Sequence, residues 1–250
     1  MNRVISWPGA KYRQLSDIMA LLPDRDWNAV CEPFLGAGAF SWHMLENHKI
    51  ESLMTAEANN NLRTWWLHLL EDPEFLVEEM SRVREQFTGV TADRDIFNEL
   101  RDGYNVSFAE NPLSVTTSAK LWVLIYASTN NLARFNLSGG YNQTFGKGRT
   151  IPDPKKVFGE IELDLVRSFR KASPFWVLPG VRVARDFVPC LDVFIDVHQG
   201  NENSIVFLDP PYYIRTETYQ KGCWTLDHET RLFDIMRLMD ELWVPWVMTN

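Results

Sequence analysis

Apolar and polar positions follow two rhythms along this chain. Short, mostly apolar strand-like stretches occur at both ends: Trp27 to Phe34, Ile50 to Ala56, Leu191 to Ile195, Ile205 to Leu208, and Trp246 to Asn250. Runs of that length, bounded by turn formers or acids, predict buried parallel strands. Phe175–Val177 and Val181–Val183 read the same way. Between them the spacing turns helical. Lys11 to Leu22 carries Leu15, Ile18, Met19 and Leu22 on one face and stops at Pro23; Val157–Lys171 and Leu226–Leu242 predict further helices. From Asn59 to about Tyr126 the pattern is mostly helical, broken at Pro73, Gly89, Gly103 and Pro112.

The order of these elements sets the architecture. A strand at 27–34 runs into the turn Leu35-Gly36-Ala37-Gly38, helical spacing resumes through Trp42 and Leu45, and a second strand ends at the acid Glu57. That succession is the order of a nucleoside-binding βαβ unit. The fold class is therefore α/β, a Rossmann-like core interrupted by an insertion. Residues 1–60 and 151–250 form the core and 61–150 the helical insertion, with a β-hairpin near 134–146 whose arms flank Ser138-Gly139-Gly140. No internal repeat or low-complexity linker is visible.

Composition narrows the class. With 45% hydrophobic and 13% aromatic residues over 250 positions, the chain can bury a full core and is not disordered. No apolar run reaches bilayer-spanning length, and the N-terminus lacks a signal peptide's apolar stretch. Cys31, Cys190 and Cys223 are odd in number and not paired as metal ligands, which leads to the expectation of a reduced, cytoplasmic protein without a metal site. Most of the ten tryptophans are expected in core or interface positions.

The net charge of −8 argues at first against nucleic acid. Its distribution reverses that argument. Residues 115–190 hold eleven Lys/Arg against five Asp/Glu, whereas residues 71–110 hold eleven acids against four bases. A basic segment on an acidic body forms a local phosphate-binding face, although chance clustering on a solvated surface would look the same.

The chemistry concentrates at Asp209-Pro210-Pro211-Tyr212, directly after the run 205–208. The prolines end the strand. They leave an acid, a stiff carbonyl-bearing corner and an aromatic ring at a strand's C-terminal edge, where open α/β sheets bind ligands. An exocyclic amine offers its two N–H groups to a carboxylate and a carbonyl while a ring stacks on a flat base, so the tetrad suits chemistry on a nucleobase amine. A plain turn is the structural alternative. In Glu32-Pro33-Phe34-Leu35-Gly36-Ala37-Gly38 the glycines let a ligand approach the backbone, though close helix–strand packing would also require them. Glu57, about twenty residues on, stands at the distance of a ribose-binding acid; a surface acid near a helix start is the alternative. Trp7-Pro8-Gly9-Ala10-Lys11 adds a ring and a cation at a glycine bend, with core packing and a solvated charge as the bland readings.

Taken in order, Trp7-Pro8-Gly9-Ala10-Lys11-Tyr12, Glu32 to Gly38, Glu57, a helical insertion, Arg134 to Gly146 and Asp209-Pro210-Pro211-Tyr212 resemble the Dam-like, alpha-group DNA adenine-N6 methyltransferases, with phage-encoded members most similar. The resemblance covers nearly the whole chain. It implies an S-adenosylmethionine-dependent methyltransferase core in which Trp7, Lys11, Glu57 and Asp209 fall on cofactor-binding positions, Glu57 at the ribose. Glu32, Phe34, Gly36 and Gly38 belong to the same cofactor turn. Asp209, Pro210, Pro211 and Tyr212 become the catalytic motif, and the insertion becomes the target-recognition domain, with Asn130, Arg134, Asn136, Lys147 and Arg149 toward double-stranded DNA. GATC is the family's common target, and such enzymes occur in restriction-modification systems.

Three features depart from the pattern. Thr129 stands where many relatives carry an aromatic residue that fills the gap left by the flipped base. The usual glycine pair before the N-terminal lysine is Gly9-Ala10. Relatives also continue past 246–250 with a further hairpin and a serine-, asparagine- and glycine-rich loop. The expectation is therefore a fragment of a longer reading frame, or an edge completed by another copy or a partner subunit. The leading reading is an active DNA adenine methyltransferase in the nucleoid or in phage-infected bacterial cytoplasm. A catalytically silent relative acting as a sensor or assembly subunit is the alternative. An NAD-dependent oxidoreductase would explain the glycine turn and Glu57 but not the downstream tetrad.

Overall fold

A computed structural model describes residues 4–87, 93–136, 138–173, 183–211 and 224–249. In chain order, a 3₁₀ turn at Lys11–Arg13 precedes α1 (Leu15–Ala20), β1 (Ala29–Glu32), α2 (Ala39–Asn47), β2 (Ser52–Thr55), α3 (Asn60–Glu71), α4 (Pro73–Arg84), α5 (Arg94–Glu110) and α6 (Val115–Ala127). Then follow α7 (Pro154–Val157), α8 (Glu160–Ala172), α9 (Phe187–His198), β3 (Ser204–Leu208), α10 (Leu226–Glu241) and β4 (Trp246–Met248). The chain divides into two compact units. One comprises Ala10–Arg63, Arg167–Glu217 and Lys221–Asn250; the other is built mainly from Met1–Gly9 and Thr64–Val166.

The first unit is the α/β core. Its sheet has the order β2-β1-β3-β4 with every pairing parallel, and Ala184 bridges Ala56 in parallel at the far side of β2. This is a Rossmann-like arrangement. Both faces are covered, which is why the strands are mostly apolar rather than alternating. Ala29, Cys31, Met54, Val206 and Leu208 pack with Phe187, Leu191 and Phe194 of α9 and with Leu232 and Met239 of α10. On strand positions of the other parity, Phe207 stacks on Phe40 of α2 with ring centroids 4.5 Å apart. No helix among the described residues is long and apolar enough to cross a membrane.

One element differs from the sequence expectation. Leu191–Ile195 is not a strand but the middle of α9. Asp186 caps that helix by accepting from Val188 N–H, and Phe187, Cys190, Leu191, Phe194 and Ile195 then bury one face at helical spacing. The apolar run hid this periodicity because Val193 fills the gap between its faces. The strand-like segments at 175–177 and 181–182 lie outside the described residues.

The second unit is helical. Ten residues of α6 are buried, and α4 and α5 pack against it. Trp122 of α6, fully buried, donates its indole N–H to the Val4 carbonyl at 2.9 Å. After α6 the chain forms a loop closed by two isolated antiparallel bridges, Ser128 to Phe145 and Phe135 to Tyr141, rather than by regular strands.

A buried acid ties β1 to α2. Gly38 is the helix's N-cap and has no side chain to accept the orphan N–H groups. Glu32, at the end of β1 and 3% exposed, supplies the acceptor instead, taking Ser41 N–H at 2.9 Å and the Ser41 hydroxyl. Burial raises the Glu32 carboxyl from 4.5 to about 8, the Ser41 bonds lower it and the nearby Asp209 charge raises it again. Between those two values the unfolded chain has released this proton while the folded chain holds it. Unfolding then releases a proton, so stability falls as pH rises across that window. We expect the melting temperature to drop by several degrees, on the order of 10 °C at most, between about pH 5 and pH 8. Glu32→Gln should flatten that slope; calorimetric scans in which parent and variant keep the same slope would refute it.

Candidate active site at the carboxyl edge of the sheet

The C-terminal ends of β1, β2 and β3 bring together residues that lie far apart in sequence. After β1 the chain turns through Gly36 and Gly38, which have φ of +49° and +66°, a region that only glycine enters without strain. Leu35 N–H reaches the Ala56 carbonyl at 2.9 Å, and Gly38 N–H the Leu35 carbonyl at 2.6 Å, fixing the turn against the end of β2.

Glu57 follows β2 and is 9% exposed. Gly36 N–H donates to Oε2 at 3.0 Å and Asn59 N–H to Oε1 at 2.7 Å. Among the described residues each oxygen thus accepts one backbone donor and keeps a second lone pair. Burial raises this carboxyl to about 7, against the lowering effects of the two N–H bonds and of Arg63. Glu57 is therefore not a surface acid.

Asp209 follows β3. Lys11 Nζ donates to both of its oxygens, at 2.7 and 2.6 Å, across 198 positions of sequence. The Thr249 hydroxyl, just past β4, donates to Oδ1 at 2.9 Å. Pro210 and Pro211 are half-buried next to it. Tyr212 lies outside the described residues. Among the described residues no group of three or more His, Cys, Asp or Glu could hold a metal ion.

Phe34 leaves the turn toward Phe187, 5.3 Å between centroids, and meets Trp224 edge-on at 5.5 Å. Tyr12 donates its hydroxyl to the Ala37 carbonyl at 3.2 Å. Glu32, Phe34, Gly36, Gly38, Glu57, Lys11 and Asp209 thus fall in one compact unit. Trp7 belongs to the other unit, its ring 6.3 Å from Phe135. Phe187 and Thr249 join the sheet edge although neither belongs to a motif named above. Asp186-Phe187 carried a usable signal, an N-cap acid before an apolar periodic stretch; Thr249 carried none.

The helical unit holds the basic positions. Asn130 and Asn131 both have left-handed backbone, φ of 60° and 52°, which Asn tolerates better than most residues. Arg149 Nη2 donates to Asn130 Oδ1 at 3.1 Å. Arg134 is exposed and braced along the loop, Nε to Asn142 Oδ1 at 3.1 Å and Nη2 to the Asn142 carbonyl at 2.8 Å. Lys147 is exposed. Asn136 builds the turn, because its Oδ1 accepts from Ser138 N–H, the Ser138 hydroxyl and Gly140 N–H. Tyr141, 1% exposed, anchors the loop from beneath and donates its hydroxyl to the Leu132 carbonyl at 3.1 Å. Thr129 directs its hydroxyl to the Phe145 carbonyl at 3.0 Å.

Comparison with known proteins fits this geometry. Residues 7–168 match the model of a family described as D12 class N6 adenine-specific DNA methyltransferase. The chain is 24% identical over 257 residues to a type II methyltransferase, M.MjaIII, of Methanocaldococcus jannaschii, covering 98% of this chain and 83% of that protein. It is 25% identical to a DNA adenine methylase of Vibrio cholerae (92% and 74% covered) and 24% identical to one of Escherichia coli (98% and 79% covered). An α/β core with an acid at the end of each central strand, a largely helical second unit and a family match over most of the chain lead to one conclusion: this protein belongs to the D12 class of N6 adenine-specific DNA methyltransferases, enzymes that methylate adenine in DNA at specific sites.

Proposed function

We propose that Asp209 and the Pro210 carbonyl receive the two N–H bonds of a target adenine's amine, and that Glu57 with the Gly36–Gly38 turn holds S-adenosylmethionine beside them. The observation that carries this reading is the Asp209 carboxylate at the end of β3, held by Lys11 at 2.6 to 2.7 Å on the same sheet edge as the glycine turn and Glu57. Adenine N6 is a poor nucleophile because its lone pair is delocalised into the ring. Two fixed acceptors draw that lone pair out of conjugation and orient the nitrogen, and they are in place before the reaction begins. The base leaves the duplex to reach them, and Tyr212 is the proposed stacking face.

The donor set suits the cofactor's chemistry. Among the described residues each Glu57 oxygen accepts one N–H bond and keeps a lone pair suited to a ribose hydroxyl, and the positive-φ glycines leave no Cβ in the way. When bound, S-adenosylmethionine supplies an electrophilic sulfonium methyl group. Phe34, Phe187 and Trp224 are the apolar rings beside that turn, suited to the cofactor's flat base. In the helical unit, Arg134 is proposed to read a base edge, Lys147 and Arg149 to meet phosphates, and Asn130 and Asn136 to shape the surface that approaches double-stranded DNA.

Three outcomes test this. Asp209→Ala should lower transfer of labelled methyl to unmodified duplex DNA by about a hundredfold or more, the scale of losing a fixed contact at the developing charge; near-normal turnover would sink the catalytic assignment. Glu57→Ala should weaken S-adenosylmethionine binding in calorimetry and leave DNA affinity alone. In the parent, cofactor affinity should rise with pH through about 7 as Glu57 ionises, and Glu57→Gln should abolish that rise; a parent with no such pH dependence counts against the ribose role. DNA affinity should fall steeply with salt. Arg134→Ala should cost about 1–3 kcal/mol on the preferred sequence and less on random duplex, if its contact is a bidentate one to guanine. Equal loss on every sequence would reduce Arg134 to a phosphate contact.

A further inference from the structure

We infer that Thr249 is a positioning residue for methyl transfer: its hydroxyl occupies one oxygen of the Asp209 carboxylate and leaves the other as the acceptor for the adenine amine. The inference rests on the reading of Asp209 as that acceptor, and it adds which oxygen does the accepting and what selects it.

Register puts Thr249 in place. Leu208 pairs with Met248 across β3 and β4, so the next residue on each strand comes side by side, and Thr249 N–H closes on the Leu208 carbonyl at 2.9 Å. The Thr249 hydroxyl has two acceptors in reach, Asp209 Oδ1 at 2.9 Å and the Leu208 carbonyl at 3.5 Å. It carries one proton, and the shorter, charge-assisted bond to the carboxylate takes it. Threonine's β-branching restricts rotation about χ1, which keeps the hydroxyl at that carboxylate.

Counting lone pairs identifies the acceptor. A carboxylate oxygen accepts about two hydrogen bonds. Among the described residues, Oδ1 receives Lys11 Nζ at 2.7 Å and Thr249, and is full; Oδ2 receives only Lys11, at 2.6 Å. Oδ2 therefore has one position left, the one an N6–H can fill. Without the Thr249 hydroxyl both oxygen positions would have room, and the amine could take either of them, only one of which aims it correctly.

Single-turnover methyl transfer by the 250-residue chain, with S-adenosylmethionine and unmodified duplex DNA both saturating, tests the assignment. Thr249→Val keeps the shape and removes the hydroxyl; we expect the rate constant to fall about tenfold, since small misplacements of a reacting group are costly. Dissociation constants for cofactor and DNA should stay within about twofold of the parent's, and Thr249→Ser should restore the rate to within about threefold. Thr249→Ala, read in the same way, covers the case in which the valine variant folds poorly. A valine and alanine pair that both retain parental rates, while Asp209→Ala is inactive, would overturn the role of Thr249 and leave that of Asp209 standing. A serine variant as slow as valine would also overturn it. Retained activity in Asp209→Ala would instead remove the reading on which the inference rests.

Discussion

Two carboxyl groups stand near one another at the ends of adjacent parallel strands, and the core depends on keeping them chemically different. Glu32 ends β1 and Asp209 follows β3, and the charge of Asp209 acts on the buried Glu32 carboxyl. Glu32 is buried, holds its proton up to about pH 8 and serves the start of α2. Asp209 is partly open to solvent and has its charge matched by Lys11. Two acids with one protonated and one ion-paired can share an edge that two bare carboxylates could not. The sheet order makes this edge a crevice. From β1 the chain passes through α2 to β2, and from β3 through α10 to β4, so the two connections leave in opposite directions and the space between them stays open for a ligand.

Much of this is legible in the sequence alone. The mostly apolar stretches at 27–34, 50–56, 205–208 and 246–250 each coincide with a strand to within a few residues, because a doubly covered parallel sheet has no solvent-facing side that would impose a polar alternation. The glycine turn is legible for a related reason: two positive-φ positions at the entry to α2 leave few other choices of side chain. The run 191–195 misleads because its context, the Asp186 cap and Phe187, lies outside the stretch that looks like a strand. A local window weighs continuity and cannot see that Phe194 and Ile195 complete a stripe begun at Phe187.

The site is legible as separate pieces and not as a constellation. Nothing in the spacing of Lys11 and Asp209 says that the amine will meet both oxygens; that follows only from the fold bringing positions 198 apart together. Thr249 is a harder case. One hydroxyl just past the short strand β4 has no motif of its own, and its partner is set by the register of β4 on β3. Asn136 carries a structural role that its sequence does not announce. Its place in the Arg134–Gly146 motif suggests contact with DNA, while its side-chain oxygen is occupied three times over in forming the turn.

That turn has an evolutionary consequence. The loop's shape is secured from within, by Asn136 across its tip and by Tyr141 buried at its base, with Arg134 and Ser138 adding bonds along its surface, whereas exposed positions such as Lys147 hold up little of it. Substitutions at the exposed positions leave the scaffold standing, since exposed side chains away from such contacts usually change stability only slightly. The inherited part of the loop is therefore its frame. On the proposed reading of this loop as the DNA-facing surface, a lineage could exchange a few surface residues without reopening the fold or disturbing the acid at the end of β3.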